Sequence, residues 1–145
     1  LITCFLYSIH YSASIERLRA CIASAHSALV TGGLFCFNAV DKQQIDNGSW
    51  VSHNLRHADS LFSFSSGWHY SGEGEQQLLK LHIEKTAANE KHVWRDEHPM
   101  VAVSFGELIG LLAPYFEVQV LEHDYERLLP WDGVSGNALF ACVKI

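Results

Sequence analysis

Residues 1–40 hold two almost unbroken apolar runs with one amphipathic segment between them, and this arrangement constrains the fold more than any other feature. Leu1 to Ser8 and Leu34 to Val40 read as strands covered on both faces. Between them Ile15, Leu18, Ile22, Ala25 and Leu29 recur at spacings of three and four, which gives a helix one buried face. Ser14 stands where an N-cap belongs, and Gly32-Gly33 closes the segment, with Gly32 free to take the left-handed cap conformation. Strand, helix and strand on short joints predict parallel strands linked by a right-handed crossover.

Residues 41–103 change character. Asp41 to Asp59 is polar, lacks clear periodicity and contains Asn47-Gly48, so it reads as a loop. Three strand-like pieces follow, Leu61 to Tyr70, Gln77 to Lys85 and His92 to Arg95, the first two joined by the hairpin signal Ser71-Gly72-Glu73-Gly74. The segment is therefore expected to be an antiparallel β insertion. The α/β pattern then resumes. Ser104-Phe105-Gly106-Glu107 has capping-box spacing, and the helix it starts runs through Leu108 and Leu112 to a stop at Pro114. Phe116 to His123 is a strand, Tyr125 to Gly136 a loop, and Asn137 to Ile145 the last strand.

With 145 residues, 48% of them hydrophobic and 18% charged, the chain suits one domain, 1–145, carrying the 41–103 insertion. No apolar run reaches the ~20 residues that span a bilayer. The apolar opening lacks the basic flank and small-residue cleavage site of a signal peptide. A formal net charge of −6 argues against nucleic acid as the main partner. Cys4, Cys21, Cys36 and Cys142 form no C-x-x-C pair and lie in apolar segments, as expected of buried, reduced thiols in a cytoplasmic protein. The single methionine is Met100 and the chain opens within a strand-like run, so an upstream portion is expected.

Three stretches carry a resemblance. Leu1-Ile2-Thr3-Cys4 through Ile9-His10-Tyr11 resembles the fourth strand of the class I, Rossmann-like S-adenosylmethionine-dependent methyltransferases and the turn after it. Ala28-Leu29-Val30-Thr31-Gly32-Gly33-Leu34 resembles that family's Leu-Lys-Pro-Gly-Gly approach to the fifth strand, with Val30-Thr31 in place of Lys-Pro. Asn137 to Lys144 resembles its antiparallel seventh strand. The resemblance implies an α/β fold made of strands four to seven of a methyltransferase sheet, the last antiparallel. It also implies S-adenosylmethionine as cofactor. No Gly-x-Gly loop follows a first strand here, so the half of the fold that holds most of the cofactor is absent from these residues.

In open α/β sheets ligands bind beyond the carboxyl ends of the parallel strands. That rule puts Tyr7 to Tyr11, the start of the insertion and the 124–136 loop on one edge. Phe5, Leu6, Tyr7 and His10 are then expected beside the cofactor. His10 and Tyr11 are the candidates to orient an acceptor or take its proton, the alternative being that His10 caps a helix and Tyr11 packs. The insertion and the 124–136 loop would together cap the acceptor, with Trp68, Tyr70, Trp94 and Trp131 as walls and Glu97 and His98 as an acid and an imidazole. A solvated turn at Asp96-Glu97-His98-Pro99 is the alternative for that cluster. His53-x-x-x-His57 has the spacing of a helical metal pair but no Glu between its histidines, and no metal ligands are assigned. The function expected is methyl transfer to a small-molecule acceptor. The competing readings are a non-catalytic half-fold that pairs with a partner chain through the Leu1 to Ser8 edge, and a metal-dependent β-domain.

Overall fold

The computed structural model describes residues 1–88 and 90–145. In chain order its main elements are β1 (Ile2–Cys4), α1 (Ile15–Ala28), β2 (Leu34–Val40), β3 (Val51–His57), β4 (Ser60–Tyr70), β5 (Gln76–Ala87), β6 (Glu90–Val101), α2 (Phe105–Leu112), β7 (Phe116–Glu122) and β8 (Asn137–Lys144). Among the described residues these strands make two four-stranded sheets, ordered β1-β2-β8-β7 and β3-β4-β5-β6. In the first, β1 runs parallel to β2, and β8 is antiparallel to both of its neighbours. The second is antiparallel throughout. It is the insertion.

The mixed sheet carries both helices on one face. Leu18, Ile22 and Ala25 of α1 and Leu108 and Leu112 of α2 meet Phe35, Phe37, Phe116 and Phe140 in a single core. Phe37 and Phe140 stack almost flat, 5.1 Å between centroids. Ser14 caps α1 by accepting the Arg17 N–H at 3.2 Å. The other end differs from expectation. Gly32 has a left-handed φ of 77°, yet it sits in the turn beyond the helix, which ends on an extended Leu29. Lys144 closes the helix instead, its Nζ donating to the His26 and Leu29 carbonyls, each at 2.8 Å. The capping box of α2 forms as expected, and its Glu107 also pairs with Lys42 at 2.8 Å.

Three expectations need correction. The first strand is three residues long, not eight, because Leu6 and Tyr7 turn into the left-handed region at φ 55° and 59°. It lies at the sheet edge as expected, but Thr3 is exposed between half-buried Ile2 and Cys4, so it is not covered on both faces. The polar stretch 41–59 contains β3, every residue of which is exposed, so no burial pattern marked it. Asp96 to Pro99 lies within β6 rather than in a turn. Pro99 is tolerated there because β6 is the outer strand of its sheet, where a missing N–H costs little. The thiols differ in part: Cys142 is buried, with burial pushing its pKa up to about 12, but Cys21 is exposed. No helix among the described residues is long and apolar enough to cross a membrane.

The two sheets are fastened where the insertion leaves and rejoins the α/β body. A 3-10 turn, Ser8–Ser12, follows β1 and buries His10 completely. The last residue of β2, Val40, donates its N–H to His10 Nε2 at 3.0 Å. The last residue of β6, Val101, has its carbonyl 2.9 Å from His10 Nδ1. Because Val40 N–H can only donate, Nε2 must hold the lone pair and Nδ1 the hydrogen. Asp41 completes the junction. Its carboxylate accepts from Gln43 N at 2.8 Å and Phe105 N at 3.1 Å, tying the start of the insertion to the start of α2.

Burial lowers the His10 pKa from 6.5 to about 4. A depressed folded value means that stability is fully present above about pH 6.5. It is lost as pH falls through the folded value, by about 3 kcal/mol in all. Urea unfolding between pH 7.5 and 4 is expected to show that loss in the natural sequence and to lack most of it in His10→Gln. Equal slopes in the two proteins would contradict it.

Candidate functional site

Beyond the carboxyl ends of β1 and β2 lies an open cleft of about 530 Å³. Tyr7, Asp46, Trp68, Leu79, Leu81 and Asn137 contribute to its walls, so both sheets and two loops meet there. The approach of those loops is close: a Cβ on Gly136 would stand 2.5 Å from Gln44 Cβ, which only glycine avoids. Asn47 grips the strand behind the cleft, exchanging two hydrogen bonds with the Tyr70 backbone at 2.8 and 2.9 Å.

Tyr7 enters the cleft from a strained turn. Its backbone N–H donates to Asn38 Oδ1 at 3.1 Å, which holds the left-handed conformation in place. Its hydroxyl accepts from Asn137 Nδ2 at 2.7 Å. The same amide lies 3.3 Å from His123 Nδ1, and His123 Nε2 lies 3.2 Å from the Tyr125 hydroxyl. Burial raises the Tyr7 phenol above its ordinary value, against the opposing hydrogen bond from Asn137. Partial burial lowers the His123 pKa. Asn137, His123 and Tyr125 were not singled out from sequence. The ends of the Phe116 and Asn137 strands, traced to the same edge as Tyr7, carry the signal that finds them.

The residues expected at the site separate into groups. Tyr11 and His98 come together: the phenol hydroxyl is hydrogen-bonded to His98 Nδ1, and the rings lie 5.7 Å apart. His98 Nε2 is 3.1 Å from Asp96 Oδ2, so phenol, imidazole and carboxylate form one chain. The strand period of two explains why Asp96 and His98 share a face while Glu97 points the other way, toward Lys80 at 3.8 Å. His10 is not at the surface. Both of its nitrogens are engaged inside the fold, leaving it neither a free lone pair nor a face to present to a ligand.

Phe5 packs edge-on to Tyr125, and Leu6 projects into solvent, 80% exposed. Among the aromatic walls, Trp68 lines the cleft and packs against both Tyr7 and His10, at 5.3 and 5.7 Å. Tyr70 closes its own hairpin, its hydroxyl donating to the Gly74 carbonyl at 3.0 Å. Trp94 is half exposed and stacks on His92, farther out along β6. Trp131 turns inward onto Phe105 at 5.3 Å and ties its loop by donating to the Ser135 carbonyl. His53 and His57 lie on an extended strand, roughly 13 Å apart for four residues, and not on a helix. Among the described residues no three His, Cys, Asp or Glu side chains are grouped to hold a metal ion.

No protein-family model matches the sequence, and no curated protein does. Solved structures do match. The chain superposes on S-adenosylmethionine-bound CalS10, an amino pentose methyltransferase from Micromonospora echinaspora, with a TM-score of 0.79 at 14% identity, over 99% of this chain and 57% of that one. DesVI from Streptomyces venezuelae gives a TM-score of 0.74 at 19% identity, over 99% and 58%. The sugar N-methyltransferase KedS8 from a Streptoalloteichus species gives 0.72 at 16% identity, over 98% and 54%. The chain thus spans a little over half the length of each. With its sheet order and its antiparallel last strand, it has a class I S-adenosylmethionine-dependent methyltransferase-like fold over that shared length.

Proposed function

We propose that this chain forms the acceptor side of a methyltransferase that acts on a small molecule. The observation that carries the reading is the chain of Tyr11, His98 and Asp96 at the carboxyl edge of the parallel strands. S-adenosylmethionine, when bound, supplies an activated methyl group for in-line displacement. Phe5 and Leu6 would line one wall of its site. They are apolar, Leu6 is 80% exposed, and a left-handed backbone holds it beyond the end of β1. The fit is to one wall only, because no Gly-x-Gly loop following a first strand lies among these residues. Activity is therefore assigned to the parent enzyme and not to this chain alone.

The acceptor must lose a proton if its nucleophile is an amine or a hydroxyl carrying one. His98 Nε2–H donates to Asp96, which leaves the lone pair on Nδ1 facing the Tyr11 hydroxyl. Tyr11 Oη takes the acceptor's proton as its own passes to His98 Nδ1. The Asp96 carboxylate steadies the imidazolium that results, as an orienting acid does in a catalytic triad. Trp68 and Leu79 stand in the same cross-strand row as His98 and provide an apolar wall beside it. An amino sugar is the acceptor to test first, since CalS10 is an amino pentose methyltransferase and KedS8 a sugar N-methyltransferase.

In the parent enzyme, Tyr11→Phe and His98→Gln are each expected to lower kcat by about 10²-fold or more, within the usual range for a proton-transfer group. The acceptor KM should stay within about threefold. A kcat equal to that of the natural enzyme would refute the assignment and favour a pairing module without chemistry. Leu6→Gly tests the cofactor side. Removing Cβ from a left-handed residue relieves about 1 kcal/mol of strain, so the melting temperature should hold or rise. Affinity for S-adenosylmethionine should fall at the same time; unchanged affinity would remove Leu6 from the cofactor wall.

A further inference from the structure

We infer that His10 is a positioning residue: by pinning the 3-10 turn to the last residue of β6, it sets Tyr11 against His98. The inference rests on the proposed proton relay. The geometry has three parts. Tyr11 directly follows His10 in the turn, and His98 lies three residues before Val101 on β6. The bond from His10 Nδ1 to the Val101 carbonyl, 2.9 Å, therefore joins the two short segments that carry the relay at one buried point. The bond from Val40 N–H to Nε2, 3.0 Å, fixes that point to the end of β2.

The turn has other anchors, Ile9 in the core and the Tyr7 N–H on Asn38, but both precede His10 in the chain. Tyr11 is half exposed, and the described contacts of its ring and hydroxyl are with His98. The turn also begins and ends on strained backbone, at Tyr7 with φ 59° and Ala13 with φ 66°, so its place depends on what it binds. An apolar residue at position 10 would fill the volume but leave Val40 N–H and the Val101 carbonyl buried without partners. The Gln77 amide, which can meet the Nδ1 hydrogen only through its oxygen, and the Trp68 ring, 5.7 Å away, complete the socket. Trp68 also packs on Tyr7, so one ring braces the start and the middle of the turn.

The test follows the His98 Nδ1 chemical shift by nitrogen NMR of the parent enzyme at one fixed pH, alongside steady-state kinetics. In His10→Gln that shift should move in the direction produced by Tyr11→Phe, because both changes weaken the phenol–imidazole bond. The kcat of His10→Gln should fall about tenfold or more, with the acceptor KM within twofold. The double variant should be no slower than Tyr11→Phe alone, since His10 acts through Tyr11. A His98 Nδ1 chemical shift equal to that of the natural protein, or effects that multiply in the double variant, would overturn the inference. If His10→Gln does not fold, Gln77→Met decides, because it loosens the same socket while keeping both imidazole bonds. A smaller change in the Nδ1 chemical shift, of the same sign, supports the pin, and none overturns it. The two readings fail separately: an unchanged kcat in Tyr11→Phe removes the catalytic role, whereas the NMR shift still reports positioning.

Discussion

One neutral imidazole, buried with a backbone donor on one nitrogen and a backbone acceptor on the other, holds the two halves of this molecule in register. Each buried backbone group left unpaired would cost about 1–3 kcal/mol, so the two bonds to His10 are required by the way the chain leaves and rejoins the α/β body. No other side chain offers a lone pair and an N–H on opposite corners of a rigid ring. Asp41 repeats the device one residue beyond Val40, with two carboxylate oxygens serving two N–H groups. The insertion therefore leaves the body through a fixed junction, and the side chains near it inherit that rigidity.

The insertion itself is a sheet with two unlike faces. Directly paired residues on antiparallel strands share a face, so Trp68, Leu79 and His98 stand in one row, followed by Val51, Ser66, Leu81 and Asp96 in the next. Val51, Ser66, Trp68, Leu79 and Leu81 of that face line the cleft. The opposite one carries Ser52, Ser65, His82 and Arg95 in register, with Lys80 and Glu97 beside them. The alternation explains why the acid and imidazole of the relay come from positions 96 and 98, two residues apart. It also explains why Glu97, which looks equally suitable in sequence, faces a lysine.

Much of the fold was legible in the sequence because it rests on local signals. The capping box at Ser104 and Glu107, the Ser14 cap and the glycine turn at 71–74 are short-range chemistry, and each forms where the residues say. Long-range compensation was not legible. Lys144 closes α1 from the far end of the chain, and nothing near Gly32 shows that a lysine 112 residues later takes the role of the glycine. β3 escaped notice although Val51, His53 and Leu55 alternate with Ser52, Asn54 and Arg56, because histidine in the middle hides the apolar period. At the site, the edge could be placed by topology, and Tyr11 and His98 stood out by type. Their pairing, and the withdrawal of His10 into the junction, depend on contacts spanning 87 and 91 residues that no local pattern encodes.

The most direct measurement is native-state hydrogen exchange at the Val40 amide, whose donor bond goes to His10 rather than to a strand carbonyl. If the imidazole fastens the insertion to the sheet, Val40 should exchange only through global unfolding, with the same opening free energy as the core amide of Phe37. An amide that exchanges through local opening, at the rate of the exposed β3 hairpin, would contradict it.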